Sequence, residues 1–422
     1  MSGSLHHVEN KLWIRSVVIG GALLTMGILS YLVFSVGVGS VYHHSWEDAT
    51  AVYDEAVADG FKSGDAAYDD AKAAKHDAHM SYLTWTTAGK TLLIMLGIYA
   101  AFYVIAGFFN SIQPEEEHHD GHGDDHHGSA SPILMALGIF FFMFGFQGFV
   151  STCKSMLGLD VTADFAGFTA SLVGGVILII GVGNWWNEDL KGHHEQIAVK
   201  EMKPFGGQDI RKAGMWIFLM SEMMVFATFF SAYLRMRTGW CTEWAKDAGK
   251  CDVVDVITAS DLLRHDIGTL LPGAINTFAL IISSYTIVLA LKTAKNKDWK
   301  PSENKFIRSI FPSKKLAVRN YLLMTLLLGS LFIVLKLVEW SHLIAEGFDI
   351  GTQAGSIFYI ATGAHGLHVF IGLLVMLFMI FKADTVGYSD EEDNAMGIEY
   401  FGLYWHFVDL AWVAIFPAFY LY

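Results

Sequence analysis

The sequence predicts an all-α membrane protein, a polytopic bundle of about nine transmembrane helices. Of its 422 residues, 53% are hydrophobic and 14% aromatic, and the mean hydropathy is +0.40. This is too apolar for a water-soluble chain of this length. Charged residues make up only 17% of the chain and concentrate between apolar runs, each of which approaches the ~20 residues that a helix needs to cross a bilayer.

The apolar runs define the predicted helices in chain order. They cover roughly 12–38, 88–110, 132–153, 163–186, 210–235, 270–292, 320–345, 354–381 and 398–421. The first run is predicted to be an uncleaved anchor rather than a signal peptide, because it is longer than a signal core and no Ala-x-Ala site follows it.

Lys and Arg are most frequent in the segments 187–212 and 292–319. Since cytoplasmic loops carry the excess of these residues, the N-terminus is predicted in the cytoplasm and the C-terminus on the outer side. We expect an integral protein of a bacterial or archaeal plasma membrane.

Two segments look like additions to a simple bundle. Residues 40–87 are rich in Ala and Asp and are predicted to form short amphipathic helices on the outer face. This segment is either a docking surface for a basic electron donor or a solvated acidic loop, and we favour the loop. Residues 114–127 contain five His among acids and Gly, which is typical of a flexible linker with at most weak metal binding.

The linker suggests a division into three parts. These are an N-terminal two-helix extension (1–110), the linker (111–131) and a seven-helix domain (132–422). Cys241 and Cys251 share one predicted outer loop, where an oxidising compartment permits a disulfide, although their geometry cannot be judged from sequence.

Glu222 lies in the middle of an otherwise uncharged run, 213–233. A carboxylate at that depth costs roughly 2.5–3.5 kcal/mol, which makes it a functional candidate. Its helical neighbours three and four positions away are all apolar, so its partner must come from another helix, lipid or water. It is either a functional group or a neutral acid that donates a structural hydrogen bond.

Three further pairs of polar residues occur within predicted spans, each at i and i+3. Lys336 and Glu339 form either a structural ion pair or a pair that snorkels to the surface. The other pairs are His365 with His368, more often interhelical hydrogen bonders than ligands, and His406 with Asp409, which orient an imidazole or satisfy one another.

The composition argues against several classes of function and binding site. No basic stripe with interleaved aromatics suggests nucleic-acid binding, and three Cys without a C-x-x-C motif argue against thiolate metal sites. Too few histidines lie inside spans to hold two haems and a copper, so we expect no catalytic residue, metal or redox cofactor on this chain.

Five motifs in a fixed order resemble subunit III of the haem–copper oxidases. They span roughly 130–422 and comprise Trp185-Trp-Asn-Glu188 with Gly192-His-His194, Ser221-Glu222, Leu271-Pro-Gly-Ala-Ile-Asn-Thr277, Thr362-Gly-Ala-His-Gly-Leu-His-Val369 and Tyr404-Trp-His-Phe-Val-Asp409. Seven spans in this region look like the cytochrome c oxidase type rather than the five-span quinol-oxidase relatives.

The resemblance implies a non-redox subunit of a proton-pumping oxidase in aerobic respiration. Such a subunit packs against the catalytic subunit I, accompanies subunit II and small subunits, and supports proton uptake, while the haem and copper lie in partner subunits. It also binds structural phospholipid between a two-helix and a five-helix bundle. Glu222 matches the family's buried carboxylate, and Trp186, His194 and Lys382 lie where head-group contacts are expected.

The chain departs from the family in three places. The stretch before His193 is short, Lys336 stands where a neutral amide is common, and residues 1–127 match nothing in the family. Alternative functions are an accessory subunit of a quinol oxidase or nitric oxide reductase, or a proton-coupled transporter. A transporter should show repeats or broken helices, and neither is evident in a chain with seven Pro.

Overall fold

The computed structural model describes most of the chain, and the described part is helical nearly throughout. The described residues are 2–111, 129–156, 162–191, 209–239, 246–249, 257–263, 267–388 and 395–421. The helices are α1 (Ser2–Tyr31), α2 (Gly39–Ala58), α3 (Ala66–Ser111), α4 (Ser131–Met156), α5 (Phe165–Lys191), α6 (Ile210–Gly239), α7 (Ala259–Leu263), α8 (Ile267–Lys295), α9 (Lys305–Ile310), α10 (Lys314–Ala345), α11 (Gln353–Thr385) and α12 (Met396–Phe416).

Within these described ranges, nine helical segments are long and apolar enough to cross a membrane. The predicted fold class, an all-α polytopic bundle, is therefore confirmed. The chain divides into two compact units, one made of residues 1–22 and 100–194 and the other of residues 23–99 and 195–422. The proposed division at the linker stays a prediction, because residues 112–128 lie outside the described ranges.

The prediction of short helices over 40–87 is wrong. A π-helical segment, Leu32–Val38, joins α1 to α2 without a break, and α3 runs for 46 residues. The physical reason is local: the stretch is rich in Ala, which favours helix, and no Pro occurs before Pro114. The chain turns only at 59–65, where Gly60 and Gly64 adopt positive φ angles of 88° and 103°.

The first unit contains the antiparallel pair α4 and α5. Gly138 faces Leu178, and Gly145 faces Ser171, so the two helices run in opposite directions. A Cβ atom added at Gly174 would lie 2.2 Å from the backbone nitrogen of Phe142. Glycine is thus required at this crossing, because small residues let membrane helices approach closely.

The second unit contains the five helices α6, α8, α10, α11 and α12. Their core is aromatic: Trp405 and Trp412 of α12 are fully buried. The Trp405 indole N–H donates to the Ser283 hydroxyl of α8 at 2.8 Å. Gly329 of α10 and Gly372 of α11 both contact the Trp405 ring, so one indole fills the space among several helices.

The 23–99 stretch belongs to this second unit and contacts α10 through hydrogen bonds. The Tyr99 hydroxyl lies 2.8 Å from the Ser330 hydroxyl, and the Thr84 hydroxyl lies 2.9 Å from Nε2 of His342. Polar contacts of this kind fix the register of one helix against another, because hydrogen bonds between membrane helices are directional.

Candidate functional site within the membrane helices

Glu222 of α6 finds its partner on another helix. Its Oε2 atom lies 3.0 Å from Nε2 of His368 on α11, and the two side chains are 20% and 18% exposed. Sequence reasoning had placed the partner outside α6, since the helical neighbours of Glu222 are apolar. The structure identifies that partner as His368, which the sequence had paired only with His365.

The hydrogen bonds around His368 determine where its protons lie. Its Nδ1 atom lies 2.7 Å from the Ala364 carbonyl, which can only accept, so Nδ1 carries a hydrogen. The bond between Nε2 and Glu222 then holds one further proton, located on either the carboxyl or the imidazole. In both cases the pair has no net charge, which reduces the cost of placing it in a membrane.

Aromatic side chains fix the His368 ring. Phe226, one turn after Glu222, lies edge-on to the imidazole at 5.3 Å between centroids. The Tyr404 hydroxyl donates to the His368 carbonyl at 2.8 Å, which ties α12 to α11 at this level. The Glu222–His368 pair is therefore held by three helices, with a fifth of each side chain still open at the surface of the chain.

His365 lies deeper than His368 and is fully buried. Its Nε2 atom donates to the Val408 carbonyl of α12 at 3.0 Å. Its ring packs between Phe332 and Trp412, each 5.2 Å away. His365 is therefore an interhelical hydrogen bonder, the behaviour expected of a histidine at a tight helix crossing.

Lys336 and Glu339 form a buried ion pair in α10. Nζ of Lys336 lies 2.8 Å from Oε1 of Glu339, and each side chain is only 3% exposed, so the pair does not snorkel. The Tyr420 hydroxyl donates to the same carboxylate oxygen at 2.5 Å and also contacts Nζ. Four rings surround the ammonium at 4.7–5.9 Å, namely Trp340, Phe358, Trp412 and Tyr420.

His406 and Asp409 lie on one face of α12 and interact electrostatically. In the described part of the chain, no hydrogen bond or ion pair joins them, although both are half-buried on α12. Asp409 also lies near the Ser284 hydroxyl of α8. That Asp409 orients the His406 imidazole, or that the two satisfy one another, stays a prediction.

Several predicted site residues lie outside the part of the chain that the structure describes. The Trp186 side chain, His194, Cys241 and Cys251 lie outside the described residues, so the head-group contacts and the disulfide stay predictions. Lys382 is half-buried near the end of α11. In the same region, Arg319 of α10 pairs with Asp384 at 3.0 Å.

Sequence reasoning missed one ionic cluster. Glu399, in the first turn of α12, accepts from Lys212 of α6 at 2.6 Å and contacts Lys295 of α8. The cluster joins three helices at one end of the second unit. Its signal in the sequence was a lone acid at a span boundary, with basic residues at the boundaries of two other spans, but nothing in the sequence pairs them.

Comparisons with known proteins agree on one family. A family model described as cytochrome c oxidase subunit III matches residues 307–422. The haem–copper oxidase subunit I+III of Aeropyrum pernix is 28% identical over 308 residues, which are 72% of this chain and 32% of that protein. This chain therefore spans about a third of the fused relative.

Two separate subunits are matched over most of their length. Cytochrome bo(3) ubiquinol oxidase subunit 3 of Pseudomonas putida is 30% identical over 211 residues, 49% of this chain and 84% of that protein. Cytochrome c oxidase subunit 3 of Alkalihalophilus pseudofirmus is 30% identical over 237 residues, 56% of this chain and 94% of that protein.

Proposed function

The chain belongs to the subunit III family of haem–copper oxidases, and on this premise we propose that it is the non-redox subunit III of a proton-pumping terminal oxidase in aerobic respiration. The chain is an integral membrane protein with nine spans in its described part. In the proposed complex it packs against subunit I and accompanies subunit II and small subunits, with N-terminus cytoplasmic and C-terminus periplasmic.

The Glu222–His368 hydrogen bond carries this proposal. A bond that holds one proton between a carboxyl and an imidazole, at the partly open surface of the helices, lets that proton move between the two groups with no change in the net charge of the pair. Such a group suits a subunit that supports proton uptake by a neighbouring catalytic chain. It needs no electron carrier of its own.

The imidazoles within the membrane helices support the assignment of haem and copper to partner subunits. Both ring nitrogens of His368 are engaged in hydrogen bonds, and Nε2 of His365 is engaged by a backbone carbonyl. Metal ligation would need several free nitrogens that converge from different helices. Of these two histidines only Nδ1 of His365 lacks a hydrogen-bond partner, and that ring is packed between Phe332 and Trp412.

Phospholipid binding is part of the proposal. Lys382 lies near the end of α11 together with Lys315, whose Nζ donates to the Thr385 carbonyl at 3.2 Å. Cationic side chains at a membrane face attract phosphate head groups. As the resemblance to the family implies, Trp186, His194 and Lys382 are each proposed to contact a phospholipid head group.

The proposed electron donor is cytochrome c, because the region that resembles the family contains seven spans. Quinol is the alternative, since relatives named quinol oxidase subunit 3 match over comparable lengths. Oxygen consumption by the isolated complex with reduced cytochrome c or with a quinol decides between them.

The experiment is isolation of the complex in mild detergent, with subunit identification and visible spectroscopy on the same sample. We expect this chain to co-purify with a haem-containing subunit I that consumes oxygen, and to show no Soret band when separated from it. A chain that purifies alone from native membranes would overturn the proposal, and so would a partner that reduces nitric oxide instead of oxygen.

A further inference from the structure

A cluster of metal-ligating side chains lies on α2, separate from the site described above. Nδ1 of His43 lies 3.5 Å from Oε1 of Glu47, and Nδ1 of His44 lies 3.2 Å from Oε2 of the same carboxylate. The three ligand atoms all lie within 4.8 Å of one another. We propose that His43, His44 and Glu47 form a binding site for a divalent transition-metal ion, with Zn²⁺ as the ion that best fits the donors.

Each histidine–glutamate distance is close to the spacing of neighbouring ligands around a tetrahedral ion, the two being measured to different oxygens of Glu47. Metal–ligand bonds of about 2.0–2.1 Å place neighbouring ligands of a tetrahedral ion about 3.3–3.4 Å apart. The two imidazole–carboxylate distances, 3.5 and 3.2 Å, bracket that separation. A turn of helix places each histidine beside Glu47, because residues three and four positions apart lie on the same face. The two imidazoles belong to adjacent residues, and their ring centroids lie 6.2 Å apart.

The donor set selects the class of ion. Two imidazole nitrogens and one carboxylate suit Zn²⁺, Cu²⁺ or Ni²⁺, whereas Mg²⁺ and Ca²⁺ prefer sites made only of oxygen. Three protein ligands leave a fourth position for water. The site is therefore open and exchangeable, unlike the closed four-ligand sites that hold a structural zinc.

Aromatic neighbours orient one of the ligands. The His43 ring lies edge-on to Trp46 at 5.7 Å and to Tyr82 of α3 at 5.2 Å. Trp46 in turn stacks on His79 of α3 at 4.6 Å. These ring contacts restrict the orientation of His43, so ion binding would be coupled to the contact between α2 and α3.

Solvent reaches the site, so an ion can enter it. The side chains of His44 and Glu47 are 77% and 57% exposed, while His43 is 39% exposed. The alternative is that the two imidazoles only share hydrogen bonds with one carboxylate and bind no ion. In that case the cluster adds no zinc affinity to the background of the chain, so a binding measurement distinguishes the two alternatives.

The test is zinc binding by the intact complex in detergent, measured by equilibrium dialysis and elemental analysis. The starting variant replaces five histidines of the linker with Gln to remove their background, namely His118, His119, His122, His126 and His127. Glu47→Gln and His44→Gln are then added separately. His76→Gln is the matched control, because His76 is also exposed on this hairpin and contacts Asp77 and Glu346 rather than the cluster.

We expect the starting variant to bind one zinc ion that Glu47→Gln and His44→Gln each weaken by about 10- to 100-fold or more, since even outer partners of a ligand have effects of this size. His76→Gln should retain it, and X-ray absorption should show two imidazoles in the zinc shell. Equal zinc binding with and without Glu47, or no zinc in the starting variant, would overturn the proposal. Circular dichroism and subunit retention verify that each variant is folded.

Discussion

Oε2 of Glu222 and Nε2 of His368 lie 3.0 Å apart and join α6 to α11. Because the other imidazole nitrogen donates to a backbone carbonyl, this hydrogen bond holds one proton and the pair is neutral. Glu222, whose charge alone would be costly inside a membrane, is therefore half of a neutral pair. We expect its substitution to remove the exchangeable proton before it disturbs assembly.

Glu222→Gln is expected to leave the subunit assembled. The Gln amide can donate to Nε2 of His368, so the hydrogen bond is kept while the exchangeable proton is lost. Glu222→Leu should lower stability by about 1–3 kcal/mol, because it leaves the nitrogen of a partly buried imidazole without a partner. Subunit retention on native gels and the thermal unfolding midpoint measure both; identical behaviour of the two variants would contradict a stabilising role for this hydrogen bond.

Lys336→Met is expected to destabilise the second unit strongly, by about 3–5 kcal/mol, because it leaves the Glu339 carboxylate buried without a counter-ion. Met fits the space among the four rings, since its side chain is flexible and makes favourable contacts with aromatics.

Adding Glu339→Gln to Lys336→Met should recover most of the lost stability, because no buried charge then remains and the Tyr420 hydroxyl still has an acceptor. Thermal unfolding of the two single variants and the double variant forms a mutant cycle. A double variant as unstable as Lys336→Met alone would show that the aromatic packing, and not the charge balance, holds this region.

Asp209, just before α6, should contribute acid-sensitive stability. Burial acts to raise the pKa of this carboxyl, but hydrogen bonds from the backbone and guanidinium of Arg211 hold its pKa below the ordinary 3.8. A depressed pKa stabilises the fold above the unfolded value, and that stability is lost as the pH falls below about 4.

Asp209→Asn should therefore be less stable than the original chain at pH 7, and the difference should shrink between pH 4 and pH 3. The Asn carbonyl can still accept from the Arg211 backbone N–H, so the comparison isolates the charge. Unfolding midpoints at the two ends of the range provide the measurement; a difference that does not depend on pH would refute the role of the carboxylate.

Gly89→Ala should destabilise the packing of α3 against the π-helical segment. A Cβ atom at Gly89 would lie 2.4 Å from Oγ and 2.8 Å from the backbone nitrogen of Ser35. Gly97→Ala is the control on the same helix, because nothing lies within 4 Å of its added Cβ; it should be neutral or stabilise by up to ~1 kcal/mol through helix propensity. Thermal unfolding separates the two, and equal effects would be evidence against the close approach.

Much of the fold could be predicted, because the membrane imposes strong local rules. Apolar runs of sufficient length must be helical, since no water satisfies the backbone inside a bilayer, and all nine predicted spans lie on such helices in the described residues. The helices over 40–87 were predicted too short. The polar residues at 40–87 mark the ends of two membrane spans, but the helices extend beyond those ends because the segment is rich in Ala, which favours helix.

The sequence alone determined the class of this protein, its spans and its family motifs, because these depend on local hydropathy and on the order of residues along one chain. Tertiary structure decided the partners that lie on other helices: His368 for Glu222, Tyr420 for Glu339 and two lysines for Glu399. Helical spacing shows which residues share a face. Only the packing of separate helices determines what that face meets, since the contacts join residues up to 187 positions apart.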